Sequence, residues 1–159
     1  EHSMHTEHIY VSRAGIENLY ESEKKIIAVG TTSVRTLESL YHIASKLKSG
    51  YAGERDLFLD QWDAYQQNGT MSRKEAMNIL MTHMDMMKTE SLKVSTRIMI
   101  APGYVFRMTD GMITNFHQPA STLLLLISAF VGDDWKKIYS YALENDYRFL
   151  SYGDSSLLM

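Results

Sequence analysis

The patterning of this chain predicts an α/β fold, a mixed β-sheet flanked by helices in an α/β/α layering. Three observations carry that expectation. Ile26 to Val29 is a short continuous apolar run, followed by the small-residue turn Gly30 to Ser33 and then by a helical pattern from Val34 to Leu47 that turns Val34, Leu37, Leu40, Tyr41 and Ala44 to one side. A second junction has the same sense: Met112 to Phe116 reads as a strand, and the apolar helix Leu123 to Val131 follows after Pro119, Ser121 and Thr122. Between them the helical and strand periods alternate without repeats or low-complexity tracts, as expected for helices covering a sheet. With 159 residues and 45% hydrophobic composition the chain is sized for one domain, residues 1–159.

The remaining elements follow in order. HTEHIYVS alternates like a half-buried strand, and Ser12 caps a helix over Arg13 to Ser22 with Ile16, Leu19 and Tyr20 on one face. From Lys48 to Asn68 the pattern breaks into a polar, aromatic stretch with room for a short helix, a lid or an insertion. Ser72 and Glu75 form a capping box that opens a helix to about Lys88, striped by Ala76, Met77, Leu80, Met81, Met84 and Met87. The stripe reads as core, because methionine is mainly an adaptable gap-filler. Residues 48–93 together read as an insertion carrying this Met-rich helix. Thr96 to Ala101 and Tyr104 to Met108 read as strands, and Asp110 with Gly111 predicts a hairpin from the second of these into Met112 to Phe116. A last helix, capped by Asp133 or Asp134, runs to about Asn145.

Composition excludes several classes. The absence of cysteine rules out disulfides and zinc–thiolate sites and fits a reducing cytoplasm. The charged first thirty residues hold no apolar signal core, and Leu123 to Val131 is too short for a bilayer, which needs about 20 apolar residues, so it predicts a buried helix and no membrane contact. A net charge of −3 does not announce a polyanion partner, so nucleic-acid contact has to be local. The chain begins at Glu1 without an initiator methionine, which suggests a piece of a longer product.

Two polar clusters exceed what folding requires. ITNFHQPAST places Asn115, His117, Ser121 and Thr122 around the positive end of the apolar helix, where free backbone N–H groups accept a ligand as readily as a cap. YRFLSYGD, Tyr147 to Asp154, adds arginine, tyrosines and a carboxylate. GTTSVR, with Thr31, Thr32, Ser33 and Arg35, stands where open α/β sheets hold ligands, although it matches neither GxGxxG nor a P-loop. His2, His5 and His8 have the spacing of a metal comb only on a helix; on a strand His5 and Glu7 share a face and suit acid/base or ribose-hydroxyl work, and no metal site is expected. His42 and His83 sit on helices without polar company and read as structural.

In this order the motifs MHTE at Met4, IIAVGTTSVRTLES at Ile26, PGYVF at Pro102, ITNFHQPASTLLLLISAF at Ile113 and YRFLSYGD at Tyr147 resemble the S-adenosylmethionine:tRNA ribosyltransferase-isomerase family of queuosine biosynthesis, in its C-terminal part. The resemblance implies that most of the family's β-barrel domain lies outside this sequence. It implies transfer and isomerisation of the ribosyl group of S-adenosylmethionine onto the 7-aminomethyl-7-deazaguanine base at the wobble position of a tRNA with a queuosine-type anticodon, giving epoxyqueuosine, with S-adenosylmethionine as cosubstrate and no prosthetic group. On that reading His117 is the first candidate for proton transfer, Asp154 or Glu7 orients it, and His5 is a further acid/base candidate. Asn115, Ser121 and Thr122 hold ribose or adenine, and Thr31, Thr32 and Ser33 take the methionine carboxylate or ribose hydroxyls. Arg35 and Arg148 pair with a carboxylate or RNA phosphate, and Tyr104 and Tyr152 stack on a base.

Two departures stand out: Ala120 replaces a Lys common in the family, and Ser155-Ser156 replaces its usual Ala-Met. A nucleoside-binding module without turnover, or an inactive paralogue or fragment, is the alternative reading. The oligomeric state is not legible.

Overall fold

The computed structural model describes residues 4–50, 57–66 and 71–159. It is an α/β protein with mixed sheets flanked by helices. Where the sequence suggests one sheet, strand pairing makes two, each of three strands. The chain folds as two compact units, one of Glu1–Lys24 with Thr36–Ile98 and the other of Lys25–Arg35 with Met99–Met159.

In the first unit, β1 (Glu7–Ser12) runs antiparallel to β4 (Ser91–Thr96), which pairs in parallel with β3 (Leu57–Leu59). Ser12 ends the strand and caps α1 (Arg13–Glu21) by accepting from the N–H of Gly15 at 3.2 Å, as its hydroxyl chemistry predicts. α1 packs on α4 (Arg73–Met87), where Ile16 meets a core of Ala76, Met77, Leu80 and Met84. The methionine stripe is therefore core over most of its length, each buried side chain contributing about 1.5–3 kcal/mol; Met87, in the last turn, is 46% exposed. Ser72 accepts from Glu75 N–H at 3.1 Å, but the second arm of the expected capping box is diverted, because the Glu75 carboxylate pairs with Lys48 at 2.5 Å. The stretch read as loop holds β3 and the short α3 (Asp63–Gln66), tied down by Lys46, which donates to Phe58 O and to Asp63. Residues 51–56 and 67–68 of that stretch lie outside the described residues.

In the second unit, β5 (Gly111–Asn115) is the middle strand, parallel to β2 (Ile27–Val29) and antiparallel to β6 (Ser155–Leu158). This corrects the expected hairpin. Tyr104 to Met108 is not a strand: Gly103 at φ +97° turns the chain, Tyr104 N–H donates to Ala101 O, and the rings of Tyr104, Phe106 and Phe130 pack edge to face in sequence. Gly111 is a mid-sheet glycine rather than a turn residue; a Cβ there would stand 2.7 Å from Ile27 Cδ1, 2.8 Å from Met159 Sδ and 3.0 Å from Leu158 O, so a larger residue would make both side-chain ends swing aside and the neighbouring backbone give slightly. Asp110 instead accepts from Ile26 N–H at 2.8 Å and pins the start of β2 to β5. Likewise β4 ends at Thr96, where a strand to Ala101 is expected to begin, although Arg97 N–H still reaches Leu59 O.

α2 (Thr31–Lys48) starts after Gly30, whose φ of +86° makes the sharp turn out of β2. α5 (Thr122–Val131) is capped by Ser121 and not by Thr122, its hydroxyl accepting from Leu124 N–H at 3.2 Å. Contrary to the sequence reading, α5 is not a buried helix: it buries only Leu126 and Ile127, and Leu125 is 39% exposed. α6 (Asp134–Glu144) begins at Asp133, whose carboxylate pairs with Lys136 and makes no cap. Among the described residues no helix is long and apolar enough to cross a membrane, and no three acidic or imidazole side chains cluster as metal ligands.

Candidate active site

The second unit gathers three of the polar stretches at one edge of its sheet. β2 and β5 are parallel, with Val29 opposite Ile113 and Gly30 N–H donating to Ile113 O at 2.8 Å, so their carboxyl ends coincide. β6 runs the other way and starts at Ser155, opposite Asn115. The turn after β2, the loop from Phe116 to Ser121 and the segment Tyr147 to Asp154 therefore leave the sheet together, at the edge where α/β sheets bind ligands.

His117 lies at this edge, two residues past the end of β5. Its Nε2 lies 3.0 Å from the hydroxyl of Thr114, and its backbone N–H donates to the hydroxyl of Tyr139 at 3.0 Å. Nδ1 has no hydrogen-bond partner among the described residues. Burial pushes the imidazole below its ordinary pKa, so it is neutral at pH 7. Burial also raises Tyr139, which keeps its proton. Thr114 and Tyr139, both buried, are the residues that sequence reading misses. A threonine in a strand is ordinary, and only the alternation that puts Thr114 inward, three residues before His117, hints at its role.

The lowered pKa has a consequence for stability. An imidazole that resists protonation in the native state leaves the unfolded state binding more protons, so stability is fully present above the free value of about 6.5 and falls as pH drops from there through the folded value. His83, also lowered by burial, adds a slope of the same sign. The unfolding midpoint of wild-type protein should therefore decline between about pH 7 and pH 5, and more shallowly in His117→Gln. Identical slopes would show that His117 titrates as freely folded as unfolded.

The Tyr147 to Asp154 segment closes on itself. Arg148 donates through its backbone N–H to Asp154 at 2.8 Å and through its guanidinium at 3.0 and 3.3 Å, while Asp154 N–H returns to Arg148 O. The Arg148 hydrogen bonds hold the Asp154 carboxyl below the usual carboxylate range. Leu150, at φ +69°, donates its N–H to Phe116 O, and Asn115 donates to Gly153 O, Asp154 O and Ser155, so the segment is stitched to the start of the His117 loop.

The other candidates are placed as follows. Thr31 and Arg35 are buried, Thr32 is exposed, and Ser33 donates to Val29 O at 2.7 Å, a bond within its own turn. Tyr104 is buried against Phe106, whereas Tyr152 is 98% exposed at the tip of the closing segment. Thr122 is the first residue of α5. The partner that His117 meets is Thr114, and the Asp154 carboxylate meets Arg148. His5 and Glu7 belong to the first unit; His5 precedes β1 and is exposed, and Glu7 is half-buried at the strand's first position. His2 lies outside the described residues.

Fold and edge define an α/β protein whose polar segments converge at the carboxyl ends of its parallel strands. The family model described as queuosine biosynthesis protein matches residues 1–158, and the chain belongs to that family. It is 35% identical to the S-adenosylmethionine:tRNA ribosyltransferase-isomerases of Thermoanaerobacter sp. (strain X514) and Nitrosospira multiformis, in each case over 99% of this chain. The crystal structure of an S-adenosylmethionine tRNA ribosyltransferase from Thermotoga maritima superposes with a TM-score of 0.62 at 28% identity, covering 96% of this chain and 40% of the other. The chain spans about a third of the length of the curated relatives it matches.

Proposed function

We propose that the chain forms the part of a tRNA ribosyltransferase-isomerase that holds S-adenosylmethionine and moves its proton, within a cytoplasmic enzyme of queuosine biosynthesis. The observation that carries this is the neutral His117 fixed by Thr114 and Tyr139 at the edge where the three polar stretches meet. The chemistry begins with loss of a proton from the carbon beside the sulfonium. Attack of a neutral amine from the aminomethyl-deazaguanine and departure of adenine and methionine complete it. A neutral imidazole with one nitrogen anchored and the other unbonded is suited to the first step, since a general base must be unprotonated near pH 7.

In this reading Ser121, Thr122 and the first N–H groups of α5 hold ribose or adenine, and Thr31 to Ser33, in the first turn of α2, take the methionine carboxylate. The exposed Tyr152 is assigned to RNA, the buried Arg35 to the methionine carboxylate, and Arg148 sets the closing segment through Asp154. His5 and Glu7 keep a secondary place as acid/base groups of the first unit. Calorimetry with S-adenosylmethionine tests the binding half of the reading, and adenine release with precursor tRNA, in the full-length polypeptide containing this chain, tests turnover.

Thr114 offers a sharper test. Thr114→Val keeps the shape and removes the hydroxyl that fixes the ring, so adenine release should fall about 10–100-fold with little change in substrate affinity and a displaced pH–rate profile. An unchanged profile would leave Thr114 with a packing role alone.

A further inference from the structure

An open cleft of about 480 Å³ lies in the second unit, beside the candidate site; it shares Phe116 and Tyr147 with that site's loops but is lined by none of the side chains given a chemical role above. Its size falls in the range of small-molecule sites, about 300–1,000 Å³. Phe116, Tyr141 and Tyr147 supply aromatic walls; Tyr147 meets Phe116 at 5.6 Å and 79° and Tyr141 at 6.1 Å and 61°, so no ring in the group is stacked on another. Ile138 adds an apolar wall, and Ser155 and Ser156 a polar one.

The polar groups on its rim are uncharged or already neutralised. Lys137 pairs with Asp134 at 2.8 Å, and the neighbouring Arg148 with Asp154. That arrangement offers little to a phosphate or carboxylate. Hydroxyls are available in both senses: those of Tyr141 and Tyr147 make no hydrogen bond among the described residues, Ser155 accepts from Asn115 and keeps its own proton to donate, and Ser156 donates to Thr114 O and keeps lone pairs to accept. Aromatic walls with mixed donors and acceptors and no free charge fit a flat, neutral heteroaromatic ring.

We propose that this cleft binds the purine ring of a small nucleoside, adenosine being the simplest such ligand. The choice of a purine among flat rings rests on the functional reading above; the cleft and its chemistry do not. Ser156 couples the cleft to the candidate site, since the Thr114 whose carbonyl it bonds is the Thr114 that meets His117. Ser156 lines the cleft, so a longer side chain there would fill the space that the ring requires.

Titration with adenosine, followed by calorimetry and by the fluorescence of Trp135 on α6, tests the proposal. Wild-type protein should show saturable binding, Ser156→Met should weaken it about tenfold or more by filling the cleft, and Ser156→Ala should weaken it by less. Tyr147→Ala, which removes a wall, serves as a second probe should the methionine variant melt early. Absence of saturation at millimolar adenosine, or equal affinity in wild type, Ser156→Met and Tyr147→Ala, overturns the proposal. So does loss of anticodon stem-loop RNA binding in these variants with adenosine affinity unchanged, which assigns the cleft to RNA. Failure of S-adenosylmethionine binding and turnover with adenosine binding intact would instead remove the functional reading and leave the cleft standing.

Discussion

Replacing His117 with glutamine should lower adenine release by about 10²–10⁴-fold, the range in which a positioned general base contributes. Glutamine keeps a polar side chain of similar reach, so the buried Thr114 hydroxyl retains a partner and the fold survives, but it cannot accept a proton at pH 7. The backbone N–H to Tyr139 is untouched by the substitution. Circular dichroism and thermal melting check that the variant is folded, and a discontinuous assay for adenine in the full-length polypeptide reads the effect. Turnover within about threefold of wild type removes His117 from the chemistry, because an interaction made in the transition state cannot be lost so lightly. Loss of S-adenosylmethionine affinity with unchanged turnover would make it a binding residue only.

The second large effect concerns backbone rather than chemistry. A Cβ on Gly153 would stand 2.2 Å from Arg148 O, 2.6 Å from Arg148 C and 2.8 Å from Phe149 C. These are backbone atoms within a turn closed by Gly153 N–H to Leu150 O and Asp154 N–H to Arg148 O, so no flexible side chain can swing aside. Gly153→Ala should cost about 1–3 kcal/mol, as overpacking does, and lower the melting midpoint by about 2–4 °C per kcal/mol. Ligand affinity should fall with it, because forcing the turn open displaces the Gly153 and Asp154 carbonyls that accept from Asn115. A melting midpoint within about 1 °C of wild type would mean that the segment relaxes freely and does not fix the site.

Legibility in the sequence followed range. Ser12, Ser72 and Ser121 act as caps as read, because a cap is settled within three residues. The turn at Gly30 and the existence of a helix after it were readable, but the helix starts at Thr31 and not at Val34, so Thr31 to Ser33, read as turn, form its first turn. Asp110 and Gly111 misled too: locally they spell a hairpin turn, but Gly111 opens a middle strand on which β2 and β6, both distant in sequence, close from the two sides. Tyr104 to Met108 has a strand's composition and is drawn off by aromatic packing with Phe130. α5 is apolar all round and yet only partly covered, which its own composition cannot reveal.

The same division holds at the site. Residue types and motif order single out His117, Asn115, Ser121 and the closing segment as candidates, because polar groups in excess of capping needs are visible in a string of letters. Their partners are not. That His117 leans on Thr114 and Tyr139, that Asp154 is engaged by Arg148, and that Ser155 and Ser156 open beside an aromatic cleft all depend on which strands pair and in what register. Sequence alone determined the α/β class, the serine caps and the family, since these rest on local periods, hydroxyl chemistry and motif order. Tertiary structure decided the two sheets, the shared edge and the hydrogen-bond partners, because those depend on contacts between residues distant in sequence, whose register local preference leaves open.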